Sequence, residues 1–287
     1  MTGIFGKVTL GSDPEIFITK DDGTPWGGLQ TGITGTKENP QNTDYGAIQV
    51  DGMALEYNTV PTDSVEFWGH YHDKALEHIN TCAKSIGCKH SKASLLYFDK
   101  YMDSVSTTED ETIFGCSPDH NADTMKENLM PDNDGSIKFR TTGGHVHIGL
   151  SKWSDLSSGV EHQLAQKVIY VCDLLLGVPS IKADKNGLPR RKLYGSAGAY
   201  RIKPYGVEYR TLSNFWVFDK AFQKYIFTSL TKVFSDDANF ANVANIAIKY
   251  RNDIVEYINT GKIPHTTVCE EISKIIKDVG GYDEKVF

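Results

Sequence analysis

Long hydrophobic runs are missing from this chain of 287 residues. No stretch reaches the about 18 consecutive apolar residues read as a membrane-spanning helix, so none is expected. The N-terminus, MTGIFGKVTLGSDPE, meets acidic residues too early for a signal peptide, and a cytoplasmic protein is expected. Paired cysteines are missing too. Cys82, Cys88, Cys116, Cys172 and Cys269 are scattered with no CxxC pair, which excludes a zinc knuckle or a disulfide framework and leaves reduced, mostly buried thiols. Positive charge is in deficit. A formal net charge of −7 argues against a nucleic-acid backbone as the main partner. Neither GxxxxGK nor GxGxxG occurs, so a P-loop or a kinase-type glycine loop is not the route to a nucleotide. Repeats, low-complexity tracts and linkers are also lacking, and residues 1–287 read as one domain.

What is present suggests an α+β fold. Turn-rich stretches at Asp21–Gly28, Gly32–Gly46 and Asp132–Gly135 separate strand-like runs at Val8–Lys20, Ile48–Val60, Ala93–Phe98 and Phe139–Leu150. In the second run Val50, Gly52, Ala54, Glu56 and Asn58 would share one face. Asp63 and Glu66 resemble a capping box that opens a helix ending near Ile86. Ser158–Leu176 reads as a second amphipathic helix. Residues 219–287 are expected to be mostly helical, over Lys220–Phe234, Ala241–Asn259 and Thr266–Val279. The spacing does not repeat as βαβ, so a doubly wound sheet is not expected.

Four constellations carry chemistry. Asp13 and Glu15 stand two apart on a strand, so both carboxylates point one way, an arrangement that a hard divalent cation tolerates. Glu56 lies within a half-apolar strand in the setting Asp51-Gly52-x-x-x-Glu56-x-Asn58. Gly143-Gly144-His145-Val146-His147 puts two imidazoles on one strand face beside glycines that permit close approach. No third His or Cys is near in sequence, so magnesium fits this region better than zinc. Residues 190–210 hold four arginines and two lysines in an otherwise acidic chain. Among them Glu208 and Arg210 share a face, and arginine forks suit phosphate and carboxylate oxygens. Gly115-Cys116-Ser117-Pro118-Asp119-His120-Asn121 is explained by turn chemistry, with Asp119 and Asn121 as outside candidates. Acids to hold a metal and arginines to neutralise a transferring phosphoryl group are what metal–nucleotide chemistry requires.

In this order the motifs resemble the carboxylate–amine ligases of the glutamine synthetase and glutamate–cysteine ligase superfamily, most closely the type 2 phage amidoligases, over about Gly11 to Asn214. The carrying elements are Asp13-x-Glu15, Glu56, His145-x-His147, Glu208-x-Arg210 and the run from Arg190 or Arg191 to Arg201. The resemblance implies a curved, mostly antiparallel glutamine synthetase-like sheet with helices on its convex side. Its concave face would carry Asp13, Glu15, Glu56, His145, His147, Glu208 and Arg210. It also implies ATP and Mg²⁺ or Mn²⁺ as cofactors. Asp13, Glu15, Glu56, His145 and Glu208 would be metal ligands, and His147, Arg190, Arg191 and Arg210 would contact the nucleotide. Glu15, Glu56, Glu208, Arg201 and Arg210 would serve catalysis. The implied substrates are a small-molecule or peptide carboxylate and an amine, joined through an acyl phosphate. No membrane partner is implied, nucleic acid is disfavoured, a homo-oligomer is compatible, and a phage-encoded chain would act in the host cytoplasm. Two departures matter. Asp13 stands where glutamine synthetase has glutamate, and the N-terminal domain and adenylylation loop of that enzyme have no counterpart, so ammonia and a dodecamer are not implied. The alternatives are a metal-dependent small-molecule kinase on the same fold and a non-catalytic phage binding protein.

Overall fold

A proline ends the first strand. Pro14 has no N–H to give to a ladder, so the apolar run Val8–Lys20 is two strands rather than the one expected. The structure is a computed structural model that describes residues 3–97, 119–128, 139–282 and 285–287. In chain order its strands are β1 (Val8–Ser12), β2 (Glu15–Thr19), β3 (Pro25–Trp26), β4 (Gln41–Thr43), β5 (Gly46–Asp51), β6 (Ala54–Thr59), β7 (Lys89–His90), β8 (Leu95–Tyr97), β9 (His120–Asn121), β10 (Lys126–Glu127), β11 (Phe139–Thr141), β12 (Val146–Leu150), β13 (Ala199–Lys203) and β14 (Gly206–Tyr209). One sheet runs β1-β12-β14-β13-β9-β10 and a second β3-β2-β6-β5-β4, with β7 also on β2, while β8 pairs with β11. Among the described residues every strand pairing is antiparallel. The fold is mixed α+β with curled antiparallel sheets.

The sheets meet at the Asp13-Pro14 break. β1 pairs with β12, and β2 pairs with β6. Two backbone bonds tie the break down: Pro14 O accepts from Tyr57 N–H at 3.2 Å, and Glu15 N–H donates to Gly143 O at 3.0 Å.

Two other runs also divide. Ile48–Val60, expected as one strand, is the hairpin β5–β6 around Gly52 and Met53. Asp-Gly is a strong hairpin signal, and Gly52 has φ 56°, a conformation glycine adopts without a Cβ clash. The hairpin puts Gln49 opposite Glu56 and Asp51 opposite Ala54. Ala47, Gln49, Asp51, Glu56 and Asn58 line one cavity, while Ile48, Leu55 and Tyr57 on the other face are fully buried. Likewise Phe139–Leu150 is β11 and β12, which belong to different sheets. His145 therefore precedes a strand instead of sharing one with His147. Phe98, the end of the third expected strand, and the turn at 132–135 lie outside the described residues.

The helix Val65–Ser85 is capped by Ser64, whose Oγ accepts from Phe67 N–H. Asp63 instead pairs with Lys7 at 2.7 Å, so the helix cap falls one residue later than expected and is a single N-cap bond in place of the expected capping box. Trp68 of this helix stacks on Trp216 with ring centroids 5.6 Å apart, and Trp216 Nε1 donates to Gly144 O at 2.9 Å. Ser158–Cys172 continues through a π turn, Asp173–Gly177, into Val178–Ala183. By length and composition this 26-residue helix could cross a membrane, contrary to the reading from unbroken runs, but its apolar window is 72% buried inside the protein. Lys220–Phe234 and Thr266–Gly280 form nearly as expected, whereas the middle helix divides at Tyr250 into Asp237–Lys249 and Arg251–Thr260. No glycine or proline marks that division.

Gly144 has no room for a side chain: a Cβ would lie 2.4 Å from Ser213 O and 2.5 Å from Trp216 Nε1. At Gly11 a Cβ would meet nothing nearer than 3.8 Å. Gly144→Ala should therefore lose about 1–3 kcal/mol of stability, while Gly11→Ala should be neutral or slightly stabilising in urea denaturation. Equal midpoints for the two variants would contradict this account of the junction.

Candidate active site

The side chains around the break fall into two groups. Asp13, at the break itself, has Oδ1 3.2 Å from His145 Nδ1 and 3.1 Å from His147 Nε2. Register brings Glu208 in, because β14 pairs it directly with His147 of β12. Ligand atoms of Asp13, His147 and Glu208 lie within 4.8 Å of one another. The second group follows from β2, β5 and β6, where Glu15, Glu56 and Gln49 stand in one cross-strand row. Atoms of Glu15, Asp51 and Glu56 again lie within 4.8 Å of one another. Asp13 and His147 of the first group and Glu15, Asp51 and Glu56 of the second line a cavity of about 430 Å³ together with His145 and Arg210, while Glu208 is fully buried and does not line it.

Burial sets the electrostatics. It pushes Glu15 up to about 7, helped by the Asp51 carboxylate and opposed by the Gly143 N–H, which donates to Glu15 Oε2 at 2.8 Å. Burial also raises Glu56 well above the carboxylate range, with Asp13, Glu15 and Asp51 adding repulsion. Asp13 feels the same penalty, but the His147 and His145 imidazoles outweigh it and hold its carboxyl well below the usual range. Burial, with the Arg210 guanidinium beside it, drives His145 down to about 3, so this imidazole is neutral.

The orphaned atoms show what the first group fits. Asp13 Oδ1, His147 Nε2 and Glu208 Oε2 are all buried and lack a well-aligned hydrogen bond: the first two face each other at 3.1 Å, and the third faces Lys203 Nζ at 2.8 Å. Two oxygens and an imidazole nitrogen that converge in this way form a donor set for a divalent cation. The Tyr205 hydroxyl bonds His147 Nδ1, which orients the ring and leaves Nε2 for a ligand. The second group, three carboxylates, is the oxygen-only set that magnesium or manganese prefers.

Cations are placed unevenly. Arg210 is buried against Glu208 Oε1, has Nε 3.3 Å from Asp119 Oδ2 and 3.0 Å from the Tyr194 hydroxyl, and Nη1 3.2 Å from His145 Nδ1. Arg201 lines the cavity with Nη1 3.8 Å from Glu208 Oε1. Arg190 and Arg191 do not line it. They are buried, Arg190 Nη1 donating to Thr211 O at 3.0 Å and Arg191 Nη2 to Ser180 Oγ at 2.7 Å. Burial lowers Arg190 to about 10. Asp119 braces Arg210, whereas Asn121 Oδ1 accepts from Asp123 N–H in a turn. Phe114–Pro118 lie outside the described residues.

Sequence reasoning missed Gln49, Lys203 and Tyr205 and did not assign Asp51 a role. Reading Asp51-Gly52 as a hairpin would have put Gln49 directly opposite Glu56 and Asp51 two residues further along on the same face. Lys203 stands two residues beyond Arg201 on the same strand face and was reachable by the same periodicity. Nothing in the sequence distinguishes Tyr205.

Taken together, the site brings two groups of side chains that could hold a metal ion, and the guanidinium groups of Arg201 and Arg210, to one acidic cavity between antiparallel strands. A family profile described as phage phiEco32-like COOH.NH2 ligase-type 2 matches residues 124–284, more than half of the chain, and the chain belongs to that family. It is therefore of the carboxylate–amine ligase type. No curated protein matches it.

A glutamate whose pKa is higher folded than unfolded binds its proton more tightly in the folded state. Its ionisation therefore costs stability as pH rises from the usual value of 4.5 through about 7. The buried neutral His145 works the other way, but its contribution is complete near its unfolded value of 6.5. Relative to the parent, metal-free Glu15→Gln should gain stability progressively between about pH 5 and pH 8, by a few kcal/mol in total at about 1.4 kcal/mol per unit of pKa separation. Urea midpoints across that range measure the difference, and a pH-independent offset would remove Glu15 as its source.

Proposed function

We propose that this protein is an ATP-dependent carboxylate–amine ligase that works with Mg²⁺ or Mn²⁺ on a glutamine synthetase-like sheet and proceeds through an acyl phosphate. The observation that carries the metal reading is the convergence of Asp13, His147 and Glu208, whose ligand atoms lie within 4.8 Å of one another. The Glu15, Asp51 and Glu56 cluster supports a second cation. The family supplies the ligase class.

In this reading the carboxylate oxygen of one substrate attacks the γ-phosphorus, an O–P bond forms, and ADP leaves. The amine nitrogen of the second substrate then attacks the carbonyl carbon. A C–N bond forms, the bond to phosphate oxygen breaks, and the nitrogen loses a proton. Metal bound by the two acidic groups would neutralise and orient the phosphates. Arg201 and Arg210 border the same cavity, and their guanidinium groups suit the charge of the transferring phosphoryl. Arg210, clamped by Glu208, Asp119 and Tyr194, is rigid and therefore pre-organised. The substrates are a small-molecule or peptide acid and an amine.

Phosphate release from ATP should depend on metal and on both an acid and an amine. Glu56→Gln should abolish it while leaving a folded chain, because removing one of the crowded acids relieves repulsion. Arg210→Ala should lower kcat more than ATP affinity. A screen of acid–amine pairs with phosphate readout, run beside circular dichroism of each variant, is the test. Phosphorylated acid accumulating with no need for an amine would point to a kinase and refute the ligase reading.

A further inference from the structure

Glu208 is fully buried and carries more positive charge around it than the other acids of the site. Its Oε1 faces the Arg210 guanidinium, with Arg201 Nη1 3.8 Å away. Its Oε2 faces Lys203 Nζ at 2.8 Å, in an ion pair whose angles do not make a hydrogen bond. The two close partners are held differently. Arg210 is buried and fixed on its other side by Asp119 and Tyr194. Lys203 lies at the end of β13, its side chain is 29% exposed, and Glu208 is its only ion-pair partner among the described residues. A lysine is also a single rotatable charge on a flexible stem, unlike a guanidinium fork.

The ammonium thus occupies the oxygen that a cation shared by Asp13 and His147 would use. An ammonium and a divalent cation crowded onto Glu208 Oε2 would repel each other. We propose that Lys203 is a resident counter-ion: it neutralises Glu208 while the metal position is empty, yields that oxygen when a divalent cation binds, and swings into the cavity onto the phosphates that arrive with the metal. This inference rests on the metal reading above. It explains why a lysine stands beside two arginines at this point. A group that must leave is better built as a point charge than as a bidentate clamp.

The test is Mn²⁺ binding to the full chain without nucleotide, followed by the electron paramagnetic resonance of free Mn²⁺. Removing the competitor in Lys203→Met should tighten binding about tenfold, whereas Lys203→Arg should weaken it. Lys37→Met is the control, because Lys37 also lines the cavity but comes from the segment before β4 and not from β13 beside Glu208. Its effect on Mn²⁺ should be clearly smaller. With Mn²⁺ saturating, Lys203→Met should bind ATP more weakly than the parent. Mn²⁺ affinity that is unchanged or weaker in Lys203→Met, or equal tightening in Lys37→Met, overturns the inference while leaving the metal site standing. Unchanged ATP affinity overturns the transfer to phosphate. No Mn²⁺ binding by any of the proteins overturns both the metal reading and this inference. If Lys203→Met fails to fold, Lys203→Gln removes the same charge, and the weakening expected in Lys203→Arg decides independently.

Discussion

The candidate active site depends on the buried acid crowd at the junction of the two sheets. Pro14 cannot extend a ladder, so β1 and β2 leave the break toward different partners, and Asp13 and Glu15 end up facing different groups. Burying carboxylates so close together is unfavourable unless positive charge or hydrogen-bond donors answer them. Here the answers are local: Arg210 and Lys203 at Glu208, the Gly143 N–H at Glu15, Gln49 at Glu56, and Arg140 Nη2 3.6 Å from Asp51 Oδ2. The compensation is partial, because Glu15 and Glu56 keep strongly raised proton affinities. A site left short of positive charge is one that favours a metal ion.

The support behind this crowd reaches far along the chain. Asp119 precedes β9 and holds Arg210. The β9–β10 turn is in turn fastened by Arg251, which forks onto Asp123 at 2.6 and 2.7 Å and reaches Asp173 Oδ2 at 2.7 Å. Asp173 opens the π turn of the long core helix and accepts from the Tyr209 hydroxyl at 2.7 Å, one residue before Arg210. The break at Tyr250 brings Arg251 to the start of its own helix, where it can make these contacts. On the other flank, Trp68 and Trp216 carry the packing of the helix Val65–Ser85 to Gly144 and so to the loop that presents His145. Arg210 and His145 are thereby set by separate elements far apart in sequence.

The sequence alone determined the elements whose causes are local. Apolar periodicity marks Lys220–Phe234 and Thr266–Gly280 because a helix repeats every few residues whatever packs on it. Period-two spacing sets Glu208 beside Arg210, whereas the Pro14 break sends Asp13 and Glu15, expected on one strand face, into two different groups; the order of such motifs was nonetheless enough to indicate the family. Tertiary structure alone decided where runs of residues change partner. Phe139–Leu150 is continuous in pattern but divided in space, because its strand partners and close approaches such as Gly144 against Ser213 are made by residues distant in sequence, whereas the breaks at Pro14 and Asp51-Gly52 have local causes. It also decided which charges meet. Arg190 and Arg201 look alike in one basic run, yet Arg190 is buried against Thr211 while Arg201 and Lys203 reach Glu208. A charge's partner depends on three-dimensional distance, which spacing along the chain specifies only within a single strand or helix.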